Sequence, residues 1–417
     1  MAELLVIALS VFGFAMFSRR ASMSPVTAPM VFTVVGLLLG TLGAEWFDLT
    51  LDGEVVSVLV EGTLVLVLFT DAARIDLRAL RASAGLPARL LGIGLPLTIL
   101  AGTAVAAVLF DSLTLVEAGL IAAILAPTDA ALGQAVVSDM RLPARVRQTL
   151  NVESGLNDGI MVPVVTVLLA LAVVETDPTG AGGWGGFVAG QLGFGVGAGL
   201  IAGAVGGWLL HRRSSADELE GTYRQLAGLA VAVAAFAGAE VVGGNGFIAA
   251  FVAGLAFARV ASEECADVQD LTEDEGELLT ALTFVVFGAA LAAPRLSDLT
   301  WQIGVYAVAS LTLVRIVPVL IALARTGTLL ETRLFMGWFG PRGLASILFA
   351  LLVSQELTGP EADTILAIAV WTVLSSVFAH GVSASTWAGR LGKRIGKGHD
   401  QMAEKRHMPE LPTRRES

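Results

Sequence analysis

The chain has 417 residues, 55% of them hydrophobic and only 15% charged, with 47 glycines and a net charge of −11. Mean hydropathy is +0.76, and a soluble domain is nearer a quarter charged, so the composition excludes an ordinary soluble protein and implies an all-α, polytopic membrane protein. The single cysteine, Cys265, excludes an internal disulfide framework, four histidines with no HExxH spacing leave little for a zinc site, and the acidic balance argues against nucleic acid as a partner.

Taken in chain order, hydropathy separates about thirteen apolar segments, near 3–17, 26–43, 54–72, 86–109, 113–138, 150–174, 186–211, 224–242, 244–261, 277–293, 300–324, 333–354 and 363–389. The first opens on an acidic residue and has no clear small-residue cleavage site, so it reads as a span and not as a signal peptide. Alternating the loops across a membrane places every Lys and Arg on one side except Arg295, Arg315 and Arg342. By the positive-inside rule that side is cytoplasmic, which puts the N-terminus outside and the C-terminus inside. The loop 262–277 is strongly acidic and reads as a solvated linker, with cation or pH sensing as the alternative; the polar tail 390–417 reads as disordered.

Several ionisable residues fall at membrane depth. A charge at the bilayer centre costs roughly 2.5–3.5 kcal/mol, so such residues face a bundle interior or an aqueous cavity and pair with one another. Glu61, Glu117 and Glu240 lie near span ends, where an interfacial place explains them equally well. Asp129, Glu153, Asp158, Arg315 and Arg342 lie deeper. The fifth span carries Pro127-Thr128-Asp129 at its middle and the twelfth carries Gly340-Pro341-Arg342-Gly343. Proline removes a backbone donor, and an interrupted backbone is tolerated in lipid only where it lines a cavity or is buried in protein. With spans 1–6 and 8–13 as two halves of opposite topology joined by span 7, each interruption is fifth in its half. That is the sequence pointer to a transporter built of inverted repeats.

The sixth span begins LNVESGLNDGI. Ser154 and Asp158 are four apart and share a helix face, whereas Glu153 is rotated well away from Asp158. Two carboxylates on different faces suit two tasks. Glu153 is expected to form a buried ion pair with Arg342, leaving Asp158 to bind a cation or a proton.

These segments resemble a known family. APTDAALG in span 5, ESGLNDG in span 6 and FGPRGLAS in span 12 are similar to motifs of the monovalent cation:proton antiporters, and the Asn157-Asp158 pair resembles the electroneutral branch that includes sodium/hydrogen exchangers. LFTDAARIDLRAL (68–80) and GNGFIAAFVAGLAFA (244–258) are also similar to family segments. The resemblance implies about thirteen helices, two inverted repeats, and spans 5 and 12 unwound and crossing at mid-membrane. It implies dimerisation helices at 1–75 and 224–293, a mobile transport core at 86–174 and 300–389, a linking helix at 186–211, and a homodimer in lipid. By motif, Asp158 is the cation- and proton-binding carboxylate, with Ser154 and Thr128 as further Na+ ligands. Asn157 positions the site, Asp129 belongs to it, Glu153 and Arg342 form its stabilising pair, and Arg315 is a charge that neutralises the crossing or partners a core acid. Where many relatives have Thr-Asp-Pro, this chain has Thr128-Asp129-Ala130.

The activity so implied is electroneutral exchange of Na+ or Li+ for H+ across a bacterial plasma membrane, with no cofactor. A K+/H+ exchanger on the same fold and a cation-coupled organic-solute symporter are the alternatives. Asn157 serves either as an amide that cannot take a second proton or as a brace for the unwound helix. GFGVGAGLIAGAVGG in span 7 follows no strand, so it is read as helix packing through Gly199 and Gly203 and not as a nucleotide loop. No GxSG-plus-His, GxGD or metal-cluster pattern supports an enzyme.

Overall fold

Apolar runs of this length satisfy their backbone groups in lipid only as helices, and a computed structural model bears this out: the described residues contain helices and turns and no strands. The structure describes residues 2–21, 26–42, 53–74, 85–176, 184–216, 221–261, 276, 278–357, 359–397 and 402–406. Of the acidic loop 262–277, all but Gly276 lies outside them, as do the tail residues 398–401 and 407–417. Among the described residues six helices are long and apolar enough to cross a membrane: Gly85–Leu109, Ala144–Val173, Gly185–Ser214, Leu278–Asp298, Trp301–Ala322 and Pro360–Gly396, with shorter apolar helices beside them.

The chain divides into two compact units: residues 1–57, 83–154 and 280–417 form one, and residues 58–82 and 155–279 the other. In the first, helix Ala28–Leu42 packs on the π-helical stretch Phe287–Ala292, with Gly36 against the Val285 carbonyl and Gly288 against Thr33. In the second, helix Trp184–Ser215 packs along Gly246–Val260 through the stripe expected from the sequence. A Cβ on Gly199 would lie 3.0 Å from Ala249 Cα, and one on Gly203 would lie 2.8 Å from Ala253 Cα. These backbones approach closely because no side chain intervenes. Gly203→Val should therefore lower stability by about 1–3 kcal/mol, read as a fall in melting temperature of the purified protein; an unchanged melting temperature would remove the packing role of this stripe.

Two long segments are interrupted. Helix Leu115–Ile124 stops at Leu125, and Ala130–Val137 resumes after residues 125–129. Helix Leu330–Trp338 stops at Phe339, and Leu344–Glu356 resumes after 339–343. A residue before proline is pushed out of the helical region, which accounts for the stops ahead of Pro127 and Pro341. A third, smaller break has no counterpart in the sequence reading. Trp301–Leu311 and Leu313–Ala322 meet at Thr312, whose φ of −116° and ψ of −91° are not helical. Pro318 lies in the second piece, where its ring removes a ladder hydrogen bond. Arg315 sits in the first turn after that break.

The tail begins later than its polarity suggested. Helix Pro360–Gly396 carries seven residues of the expected tail, and Ala403–Lys405 forms a short 3-10 turn. Glu404 is buried and accepts hydrogen bonds from Leu329 N, at 2.6 Å, and from the Thr332 hydroxyl, at 3.0 Å. Two of the other membrane-depth acids have local work. Glu117 completes a capping box with Thr114, and the Glu240 carboxylate accepts the Gly246 amide at 2.8 Å.

Candidate functional site: the paired helix interruptions

The two interruptions meet inside the first unit. The Asp129 amide donates to the Pro341 carbonyl at 2.8 Å, joining the two unwound backbones directly. Four half-helices therefore end in one place, and their unsatisfied amides and carbonyls must be met there.

Asp129 meets the amides. Its Oδ1 accepts Leu132 N at 2.9 Å as the N-cap of Ala130–Val137, and its Oδ2 accepts Leu344 N at 2.5 Å at the start of Leu344–Glu356. One carboxylate caps two helices whose positive ends converge on it. The glycine at 343 is required by this approach, since a Cβ there would overlap the Asp129 carboxylate. Asp129, expected among the cation- and proton-binding residues, is found here capping helices, each of its oxygens accepting a backbone amide.

Arg342 meets the carbonyls. Its Nη1 donates to Ala126 O at 2.6 Å and to Pro127 O at 3.0 Å, at the end of Leu115–Ile124, where a positive charge offsets the helix dipole. The Ser346 hydroxyl donates to Ile124 O at 2.8 Å and satisfies another carbonyl of the same end. Arg342 is fully buried.

The ion pair is not the one expected. Glu153 faces Arg315, with Nη2 2.6 Å from Oε1 and both side chains almost fully buried. The contact lacks hydrogen-bond alignment and acts as a charge pair. Arg315 thus partners the core acid, one of the two roles left open for it, and Arg342, expected as the partner of Glu153, is instead the charge at the crossing. The reason is geometric. Residues 339–343 have no helical period to aim Arg342, whereas Arg315 rides on a helix whose break at Thr312 turns that segment. Gly340 makes room for it, because a Cβ there would lie 2.5 Å from Arg315 Nε and 3.1 Å from Thr128 Cγ2.

Thr128 and Ser154 are brought together as expected, their hydroxyl oxygens 2.9 Å apart and both buried. Helix Ala144–Thr176 continues past Ser154 through Asn157 and Asp158, which belong to the second unit and are also buried. In that unit Gly155 packs beside Asp71, 3.7 Å from a Cβ at this glycine to the Asp71 Cβ, and Gly159 lies tight against the Phe251 ring. The sequence reading overlooked Ser346, Ser376 and His380. The i, i+4 spacing of Ser376 and His380 in an apolar helix was the signal that could have found that pair.

The chain is similar to known proteins. Residues 6–389 match the family model described as sodium/hydrogen exchanger, transmembrane. A protein named K(+)/H(+) antiporter NhaP2 from Shewanella baltica (strain OS223) is 28% identical over 369 residues, covering 87% of this chain and 62% of the relative. A probable Na(+)/H(+) antiporter, C3A11.09 of Schizosaccharomyces pombe, is 26% identical over 69% of this chain and 42% of its own length. The chain therefore spans less than two thirds of the curated relatives it matches. The solved sodium proton antiporter MjNhaP1 from Methanocaldococcus jannaschii superposes with a TM-score of 0.77 at 19% identity, over 91% of this chain and 99% of that one, and so shares its fold. The family match extends over residues 6–389, and the chain therefore belongs to the transmembrane sodium/hydrogen exchanger family, whose members are multi-pass secondary transporters and not enzymes.

Proposed function

We propose that the protein exchanges a monovalent cation for a proton, and that Asp158 is the carboxylate on which the two alternate. The observation that carries this reading is the junction of the two interruptions. Asp129 and Arg342 neutralise the broken helix ends there, the Thr128 hydroxyl meets that of Ser154, and Ser154 precedes Asp158 by four residues on helix Ala144–Thr176. A carboxylate in water is ionised throughout the neutral range. Burial disfavours the charged form, so a buried acid gains by taking either a proton or a cation. Each loaded state is neutral and can pass the apolar barrier, while the empty carboxylate is held back by its charge. Coupling then needs no separate gate, and one carboxylate moving one cation per proton transfers no net charge.

In this reading Thr128 and Ser154 supply neutral oxygens to the cation, and Asn157 positions the acid. Asp129, Arg342 and the Glu153–Arg315 pair hold the frame. The transport core comprises 86–174 and 300–389; of these, 86–154 and 300–389 fall in one compact unit, which also holds 1–57, and 155–174 falls in the other. Spans 5 and 12 cross at mid-membrane as members of two inverted repeats of a fold of about thirteen spans. The 1–75 and 224–293 helices form a homodimer in a bacterial plasma membrane, N-terminus outside and C-terminus cytoplasmic. The cation is Na+ or Li+. K+ is the second reading, favoured by the name K(+)/H(+) antiporter carried by several relatives.

The test is proton flux in proteoliposomes driven by Na+, Li+ or K+, with the membrane potential clamped at two values. Flux with Na+ or Li+ and equal rates at both potentials is expected. Flux with K+ alone selects the second reading, a rate that follows potential overturns electroneutrality, and no flux with any of the three overturns antiport.

A further inference from the structure

The long helix Pro360–Gly396 contributes no ligand to the site just described, yet it reaches the interruption at 339–343 with two polar side chains. Ser376 and His380 are one turn apart and almost fully buried, at 0% and 1% exposure. The Arg342 backbone amide donates to Ser376 Oγ at 2.7 Å. His380 Nδ1 lies 3.1 Å from that same hydroxyl oxygen, and Nε2 lies 2.8 Å from the Trp338 carbonyl.

The proton positions follow from the partners. A carbonyl can only accept, so Nε2 carries a hydrogen. Ser376 Oγ already accepts from Arg342, so its own hydrogen is free to point at Nδ1. The result is one directional chain: Arg342 N–H to Ser376 Oγ, Ser376 O–H to His380 Nδ1, His380 Nε2–H to Trp338 O. A doubly protonated ring would instead donate from Nδ1 to the Ser376 carbonyl, 3.0 Å away. It would also add a third buried positive charge to those of Arg342, at the interruption, and Arg315, on the neighbouring helix; these are the charged groups that act on the ring. The neutral ring leaves no donor of the chain unmet.

The chain ties together the two edges of one break. Trp338 is the last residue of the helix before it and Arg342 is the penultimate unwound residue within it. The rings of Trp338 and Phe339 flank the imidazole, with centroids 5.1 and 6.2 Å away. The Arg342 guanidinium, so based, reaches the carbonyls of the other break at Ala126 and Pro127. We propose that Ser376 and His380 are a positioning pair for cation/proton exchange, a neutral hydrogen-bonded clamp that sets the span from Trp338 to Arg342 across the 339–343 break and thereby the placement of Arg342 and of Thr128 beyond it. The inference rests on the antiport reading and deepens it: neither residue touches the cation or carries the transported proton.

The experiment is cation-driven proton flux in proteoliposomes across a pH series, for wild type, His380→Gln, His380→Leu and Ser376→Ala. Glutamine can place a donor near the Nε2 position, whereas leucine fills the volume without one. His380→Leu should raise the half-saturating cation concentration or lower the maximal rate by about tenfold or more, since site geometry is sensitive to displacements near 1 Å. His380→Gln should recover to within about threefold of wild type with the pH profile unshifted. Ser376→Ala removes one hydroxyl, leaves the ring in place, and should show a loss in the same direction even where His380→Leu fails to fold. Equal flux in the leucine and glutamine variants, unchanged flux in Ser376→Ala, or a pH profile displaced in His380→Gln overturns the clamp. Absence of flux from wild type with every cation overturns the antiport reading, and the clamp's role in exchange with it.

Discussion

Asp158→Asn is expected to abolish cation-driven proton flux, by at least about a hundredfold, while the protein still folds and purifies. Asparagine matches aspartate in size, so the buried position on helix Ala144–Thr176 should keep its packing. It cannot exchange a proton or present a full negative charge, and in the proposed cycle no other group does both. The check is collapse of an imposed pH gradient on addition of cation to vesicles, with melting temperature measured on the same preparation. Ordinary gradient collapse by the variant would refute the assignment of Asp158. Loss of flux together with loss of folding would show instead that the carboxylate braces the helix.

The second large effect belongs to the buried ion pair. Removing one member leaves an uncompensated charge in the interior, which costs about 3–5 kcal/mol, so Glu153→Ala and Arg315→Ala should each lower stability sharply. The corrected pairing makes a sharper prediction through combination. Contacting residues give non-additive effects of about 0.5–3 kcal/mol, whereas independent ones add. Glu153→Ala with Arg315→Ala should be much less harmful than the sum of the singles, and the coupling between Glu153→Ala and Arg342→Ala should be clearly smaller. The reverse pattern in a thermal-denaturation cycle would restore Arg342 as the partner of Glu153. Replacing both Glu153 and Arg315 with leucine should recover part of the stability, because an apolar pair needs no charge compensation.

The sequence by itself determined a good deal. A chain so apolar is confined to helices in a membrane, because backbone groups there have no water to bond. The stretches around Pro127 and Pro341 announced interruptions because proline lacks an amide and restricts its predecessor. The 3.6-residue period placed Ser154 and Asp158 on one face, and Gly199 with Gly203 marked a close helix contact. All of these are local consequences of covalent structure, readable within a turn or two of chain.

Tertiary structure decided which distant groups meet. Arg315 and Arg342 are alike in charge and depth, and nothing in their neighbours on the chain says which faces Glu153. Asp129 looked like a ligand because its role depends on Leu344, which lies 215 residues away in the sequence. Ser376 and His380 drew no notice because their partners, Trp338 and Arg342, lie on another element. Where the helix is unwound, side-chain direction is set by the neighbouring element and no longer by the period. At the interruptions, therefore, the partners could be identified only once the chain was folded.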